Sequence, residues 1–369
     1  MIYLDNGATS FHKPAGVMET VYKTMVSCAS PGRGGYGQAM AAARAVLSCR
    51  ERAAALFHCQ PEQVVFTSNC THGLNIAINT LVKPGARVVI SGFEHNAVLR
   101  PLHNLGAKIT VAGRKLFDPE DTAEAFEKAL KKGADAAVFT HVSNVFGYIL
   151  PVEELCKLCQ KYGVPFIIDA AQSAGILPVH LKESGAAFIA MPGHKGLLGP
   201  QGTGILLCGQ MPKPLLYGGT GSLSAIREMP DFLPDRLEAG TLNVPGIAGL
   251  GAAIAYVSRI GPQNILRREQ KQKNLCAEGL QNLGFQVFCG KDQCGTVSFV
   301  PNEDCEDLAQ YLAKRQIAVR AGLHCAPLAH ESAGTSDTGT VRISFGHDAN
   351  LRQTKTLLKT LQRKQIFCE

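Results

Sequence analysis

The sequence predicts an α/β fold in which a large domain, built on a mainly parallel seven-stranded sheet, is followed by a smaller α+β domain. Two observations carry that expectation. Between about residues 60 and 210, short β-rich apolar runs alternate with helical patterns, the rhythm of parallel strands joined by crossover helices. After about residue 245 the rhythm changes to long helices followed by spaced strands, with no repeat or low-complexity linker at the change.

The runs QVVFTS, ARVVISG, AKITVAG, AAVFTHVS, PFIIDAA, AFIAMPG and GILLCG each read as a strand buried on both faces, because they are continuously apolar instead of alternating. PEDTAEAFEKALKKG, between two of them, has helical spacing. Ligands of such sheets bind at the carboxyl ends of the strands. Ser68, His95, Asn144, Asp169 and His194 each follow an apolar run there. Beyond residue 245 come two long helices, then strands FQVFCG, GTVSFVP, IAVRAG and TVRISFG, with one helix between and one at the end. The expected division is 15–250 for the large domain and 251–369, together with 1–14, for the small one.

Composition narrows the functional class. Hydrophobic residues make up 46% and charged residues 18% of 369, which suits a folded globular chain and excludes disorder. The formal charge is +7, but Lys and Arg are scattered without a basic stripe, so no nucleic-acid partner is expected. A mild positive field suits ligands carrying phosphate and carboxylate. No apolar run approaches a membrane span and the start MIYLDNGATS lacks a signal-peptide pattern, so a cytoplasmic protein is expected. Thirteen cysteines without regular spacing read as buried thiols in a reducing compartment. Cys156 and Cys159 form a CxxC on an amphipathic helix with no second ligand pair, so they read as structural, and no metal site is expected.

Three segments carry chemistry. In MPGHKGLLGPQGTG, Lys195 stands among glycines just after a strand, where little bulk obstructs an aldehyde and desolvation favours the neutral amine that forms a Schiff base. In PFIIDAAQSAG, Asp169 ends a strand, where a carboxylate can keep a heteroaromatic nitrogen protonated. In FTSNCTHGLNIAI, a strand runs into a helix whose first amides, with the Thr71 hydroxyl, suit a phosphate.

Across nearly the whole chain the motifs YLDNGAT, SNCTHGLN, FEHNAVLRP, HVSNVFG, IIDAAQSAG, GHKGLLGPQGTG, RLEAGTLN, RAGLHCAP and VRISF follow in order. In this the sequence resembles the class V aminotransferase-like, fold type I pyridoxal-phosphate enzymes, and among them the SufS-like (group II) cysteine desulfurases. The resemblance implies pyridoxal 5'-phosphate as cofactor. Lys195 would form the Schiff base, Asp169 would pair with the pyridine nitrogen, and Gln172 would bond the ring's phenolic oxygen. His95 would stack on the ring and help move protons. Thr71, the Cys70 backbone and His194 would hold the phosphate, with Thr241 reaching it from a second subunit of a homodimer. Asn144 and Arg342 would grip the substrate carboxylate, with Arg320 nearby. Cys325 would accept sulfur from L-cysteine as a persulfide while alanine leaves, its thiolate favoured by His324 and Arg320.

Two positions depart from the family pattern. Pro192 stands where many relatives have Ser, removing a phosphate hydroxyl, and Leu323-His324 replaces a pair of histidines. The segment also lacks the long Cys loop of NifS/IscS-like relatives, which implies a sulfur-acceptor protein or a small reductant. Competing readings keep the cofactor and change the reaction to selenocysteine lyase, cysteine sulfinate desulfinase or aminotransferase, or drop catalysis for a scaffold of the same fold.

Overall fold

The computed structural model describes residues 1–32 and 34–366. It begins with a short strand β1 (Ile2–Tyr3) and helices α1 (Ala15–Ser27) and α2 (Gly37–Phe57). Strands and helices then alternate: β2 (Val64–Thr67), α3 (Cys70–Leu81), β3 (Arg87–Ser91), α4 (Asn96–Asn104), β4 (Lys108–Ala112), α5 (Pro119–Lys131), β5 (Ala136–Thr140), α6 (Val152–Lys161), β6 (Phe166–Asp169), α7 (Leu181–Ser184), β7 (Phe188–Pro192) and β8 (Gly204–Cys208). These strands form one seven-stranded sheet in the order β2-β8-β7-β6-β5-β3-β4. β4, β3, β5, β6 and β7 are joined by parallel pairings, while β8 runs antiparallel to β7 and β2. Every strand read from the sequence in this region is present.

Both faces of the sheet are buried except along β4 at its edge, where Lys108 and Thr110 are exposed because no further strand covers them; burial elsewhere explains the apolar runs. Successive side chains point to opposite faces, so Val89, Ala137 and Phe139 join one core with Phe57, Phe126 and Phe166. Val88, Ile90 and Val138 join the other with Leu74, Phe188 and Leu206. Each fully buried Phe or Leu contributes roughly 1.5–3 kcal/mol. Because β2, β3, β5, β6 and β7 all point the same way, the residues following their carboxyl ends converge on one edge of the sheet.

The remainder comprises α8 (Val244–Ile260), α9 (Pro262–Asn282), β9 (Gln286–Phe288), β10 (Thr296–Val300), α10 (Cys305–Lys314), β11 (Ile317–Ala318), β12 (Arg320–Gly322), α11 (Pro327–Ala333), β13 (Thr340–Ser344) and α12 (Leu351–Ile366). An antiparallel sheet β12-β13-β10-β9 packs its apolar side, including Val297, Phe299 and Ile343, with Leu4 and Leu357. The run IAVRAG, expected as one strand, is two. Ile317–Ala318 pairs in parallel with β1, whereas Arg320–Gly322 pairs with β13, so the chain changes sheets at Val319. Helix α11 was not foreseen, since seven residues are too few for a helical period to register. Among the described residues no single helix is long and apolar enough to cross a membrane, and α8 and α9, which pass together by composition, bend by 77°.

Candidate active site

Lys195 is placed by close backbone packing. β7 ends at Pro192, and the chain turns through Gly193-His194-Lys195-Gly196 against the loop that follows Asp169. A β-carbon on Gly196 would lie 2.4 Å from the Ala174 carbonyl oxygen, and one on Gly175, whose φ is +91°, would lie 2.4 Å from the Gly196 oxygen. Only glycine permits this approach of two loops. The resulting cavity brings together Cys70, Thr71, His95, Asn144, Asp169, Gln172 and His194 around Lys195.

Among the described residues no group hydrogen-bonds or ion-pairs with the Lys195 amine. The side chain reaches the cavity, yet protein atoms surround it, and burial lowers its pKa, reinforced by Arg342 and opposed by Cys70, Asp169 and Asp5. Asp169 is 2% exposed. Its Oδ1 accepts from the Ala171 amide at 2.9 Å and from the Cys70 thiol at 3.5 Å. Burial, then the Asp169 charge, pushes the Cys70 thiol well up, so it stays protonated as a donor. Cys70 opens α3, where Asn69 caps the helix by accepting from the His72 amide at 2.9 Å. The first-turn amides of Cys70 and Thr71 lie beside that cap, the usual setting for an anion.

His95 is itself the N-cap of α4, its Nδ1 accepting from the Ala97 amide at 3.0 Å. That bond assigns the ring proton to Nε2. Burial lowers the His95 pKa, with Asp169 opposing, so the ring is kept toward its neutral form. His194 donates or accepts through Nδ1 with Thr9 Oγ1 at 3.0 Å, and burial, with Lys195 and Lys13, pushes it down to about 4. As a neutral ring it can offer a phosphate a hydrogen bond but no charge. The Gln172 amide donates to the Gly7 carbonyl at 2.9 Å.

The arginines are organised by a residue the sequence reading left without a role. Asp5 Oδ1 accepts from Arg342 Nη2 at 2.7 Å, and its Oδ2 accepts from Arg320 Nη2 at 2.8 Å and Nε at 3.0 Å. Arg342 is buried, donates through Nη1 to the Asn144 carbonyl at 3.0 Å, and has a buried Nε with no partner. Asn144 in turn donates to the His324 carbonyl at 2.8 Å. Arg320, about half exposed, has its fork taken by Asp5.

Cys325 is the one exposed thiol among the described cysteines. His324 and Cys325 both have left-handed backbones, φ 53° and 56°, an unusual conformation for two successive non-glycine residues. The loop is held by the Asn96 amide donating to the Cys325 carbonyl at 2.8 Å. The Arg320 pKa is raised chiefly by its hydrogen bonds to Asp5, with Cys325 a minor contributor. His324 corrects an expectation: burial, with Arg342, pushes it down to about 3, so it is neutral and cannot stabilise a thiolate by charge. It stacks instead on buried His330, which bonds Thr335.

Thr241 is exposed and lines a different cleft, with Thr220 and Gly240, so its own chain does not bring it to Lys195. A cleft of about 720 Å³ between α6 and residues 177–184 also lies apart from the Lys195 set. Cys156 and Cys159 are buried on α6, their thiols pushed up to about 12 by burial, as a structural pair would be. Sequence reasoning missed Asp5 and His330. Asp5 stood in the first shared motif, and that was its only signal.

An unpartnered lysine, a buried carboxylate across the cavity, a neutral histidine beside it and a helix N-terminus match the aldehyde, ring nitrogen, ring face and phosphate of pyridoxal phosphate. Fold and site together define a fold type I pyridoxal-phosphate enzyme. The family model for aminotransferase class-V matches residues 2–357, and the chain belongs to that family. It is 34% identical to a probable cysteine desulfurase of Pyrococcus abyssi over 98% of this chain and 94% of that protein. A cysteine desulfurase of Escherichia coli is 30% identical over 88% of this chain and 84% of its own. The apo structure of cysteine desulfurase from Thermococcus onnurineus superposes with a TM-score of 0.89 at 33% identity, covering 98% of this chain and 94% of that one.

Proposed function

We propose that the protein is a cysteine desulfurase that moves the sulfur of L-cysteine onto Cys325 and releases L-alanine. The observation that carries the reading is the placement of the one exposed described thiol on a loop bonded to both the His95 and the Asn144 segments of the lysine cavity. When bound, pyridoxal phosphate supplies an aldehyde for an amine and a ring that tolerates negative charge at the substrate Cα. Asp169 would hold the proton on its ring nitrogen, His95 would cover its face, and the α3 amides with Thr71 and His194 would receive its phosphate. With Pro192 lining this cavity, no hydroxyl comes from that position.

Arg342, with its unpartnered Nε, and Asn144 orient the substrate carboxylate. Lys195, its pKa lowered by burial, takes the proton from Cα. The Cys325 thiolate attacks the substrate sulfur. The Cβ–S bond breaks with its electron pair left on the carbon skeleton, which takes up protons and departs as alanine, and a persulfide S–S bond stands on Cys325.

The short Cys325 segment supports placement with the SufS-like group, and a sulfur-acceptor protein or a small reductant then removes the persulfide sulfur. The working unit we propose is a homodimer. Met18, Tyr22, Met25 and Val26 form an exposed apolar face on α1, and Thr241, remote from its own cavity, is available to a partner's. Residues 1–14 act with 251–369, to which β1 is paired, as the smaller domain.

The test measures sulfide and alanine together from purified holoenzyme with L-cysteine and a reductant. Wild type makes both in equal amounts, Lys195→Ala makes neither, and Cys325→Ser loses both. Product formation by Lys195→Ala equal to wild type refutes the reading. Because His324 carries no charge to help Cys325, cleavage of selenocysteine or cysteine sulfinate is the second reading. Retention of those activities by Cys325→Ser, without cysteine desulfuration in wild type, would favour it.

A further inference from the structure

At the far side of the sheet from Lys195's cavity, where α2 ends and α7 begins, three side chains with metal-binding atoms meet. The rings of His58 and His180 stack with centroids 3.8 Å apart and planes 10° from parallel. His58 Nδ1 lies 2.9 Å from Glu183 Oε1. One ligand atom from each of the three lies within 4.8 Å of the others. His180 and Glu183 stand three residues apart at the start of α7, and the fold brings His58, from the end of α2, against them.

The fold does not itself ask for histidine at 58. This residue caps α2 with φ 50°, the left-handed region where helices ordinarily end in glycine. Two stacked imidazoles also repel when both are protonated. Two imidazole nitrogens and one carboxylate oxygen form a donor set for borderline divalent ions of the zinc class, whereas magnesium and calcium prefer oxygen alone.

We propose that His58, His180 and Glu183 form a binding site for a zinc-class divalent ion that ties the end of α2 to α7. Parallel ring planes do not meet at one point. Binding therefore turns one half-exposed ring about its Cβ–Cγ bond and draws the donors toward the roughly 3.3 Å spacing that bonds of about 2.0–2.1 Å give in a tetrahedron. Three protein ligands leave the fourth position to water. His180 and Glu183 line the 720 Å³ cleft and His58 and Glu183 a neighbouring one of about 710 Å³, so the ion enters directly from solvent.

The site is tested by equilibrium dialysis of holoenzyme against zinc chloride in a non-coordinating buffer. A Cys325→Ser background removes the exposed thiol as a rival ligand. The expected result is one tight zinc per chain, weakened at least tenfold by His180→Ala and by His58→Gly. The glycine variant separates ligation from folding, because it suits the left-handed cap and should melt no lower than its parent without metal. Zinc should raise the melting temperature of the parent and leave that of both variants unmoved. Zinc affinities within twofold across parent and variants overturn the proposal, as does a parent that binds no zinc.

Discussion

Replacing Asp5 by Asn keeps the shape of the side chain and one hydrogen-bond acceptor but removes the charge that faces Arg342 and Arg320. Arg342 is 2% exposed and has no other anion bonded to it among the described residues, so the variant leaves a buried guanidinium with one carbonyl bond and an already unpartnered Nε. Removing one partner of such a buried pair costs about 3–5 kcal/mol. The contact with half-exposed Arg320 adds less than about 1 kcal/mol, since water and salt screen it. The acceptor that Asn retains returns about 1 kcal/mol, and the expected net loss is therefore about 2–4 kcal/mol. At about 2.1 cal/mol/K of unfolding entropy per residue, a chain of 369 residues shifts its Tm by about 1.3 °C per kcal/mol. The variant should melt about 3–5 °C below wild type in calorimetry at matched scan rate. The loss should persist in 1 M salt, where a surface pair would be silenced. A Tm within 1 °C of wild type, or a difference that salt abolishes, refutes the view that Asp5 is the buried counter-charge of Arg342.

Gly196→Ala drives a β-carbon toward the Ala174 carbonyl oxygen, 2.4 Å away, so the Lys195 turn must move. Loss of about 1–3 kcal/mol and slower borohydride trapping of the cofactor are expected, whereas Gly16→Ala, which meets nothing on α1, should be neutral or stabilising. His95→Asn and His95→Ala should lose activity alike, but only the alanine variant should also lose about 1 kcal/mol of stability, because Asn can still cap α4. Equal melting of the two would count against the cap. Glu94 is fully buried, with its Oε2 unpartnered, and burial pushes its pKa up to about 8 from an unfolded value near 4.5. The folded state then binds the proton more tightly, so this group's contribution to stability is complete below pH 4.5 and is lost as pH rises toward 8. Glu94→Gln should flatten that part of the stability profile measured by urea melts from pH 5 to 9. An unchanged slope would show that the carboxyl is ionised in the fold.

The sheet was legible because most of its strands, β4 at the edge excepted, are buried on both faces, so that their apolar runs are nearly unbroken and a polar residue at the end stands out. Asp169 at the end of β6 and Lys195 after β7 were visible for that reason. The link from Asp5 to Arg342 was not, since it joins residues from the two ends of the chain and depends on β1 lying beside β11 and the Asp5 segment beside β13. The split of IAVRAG into two sheets left no mark, because both halves are equally compatible with a strand. The charge expected on His324 failed for another reason: adjacency in sequence to Cys325 said nothing of its burial. Thr241 could not be placed from one chain by either route.

The two left-handed residues at 324 and 325, with the Cys325 carbonyl bonded to the Asn96 amide, bear on how sulfur would leave an enzyme working as proposed. The backbone that presents the thiol is fastened to the helix capped by His95, so a persulfide formed there cannot travel on a swinging arm. Whatever takes the sulfur must come to it, bringing a slender nucleophile to the mouth of the cavity. On the proposed reading, turnover would be governed by docking and approach of the acceptor, and a small diffusible thiol would serve where a bulky protein without a projecting tip would not.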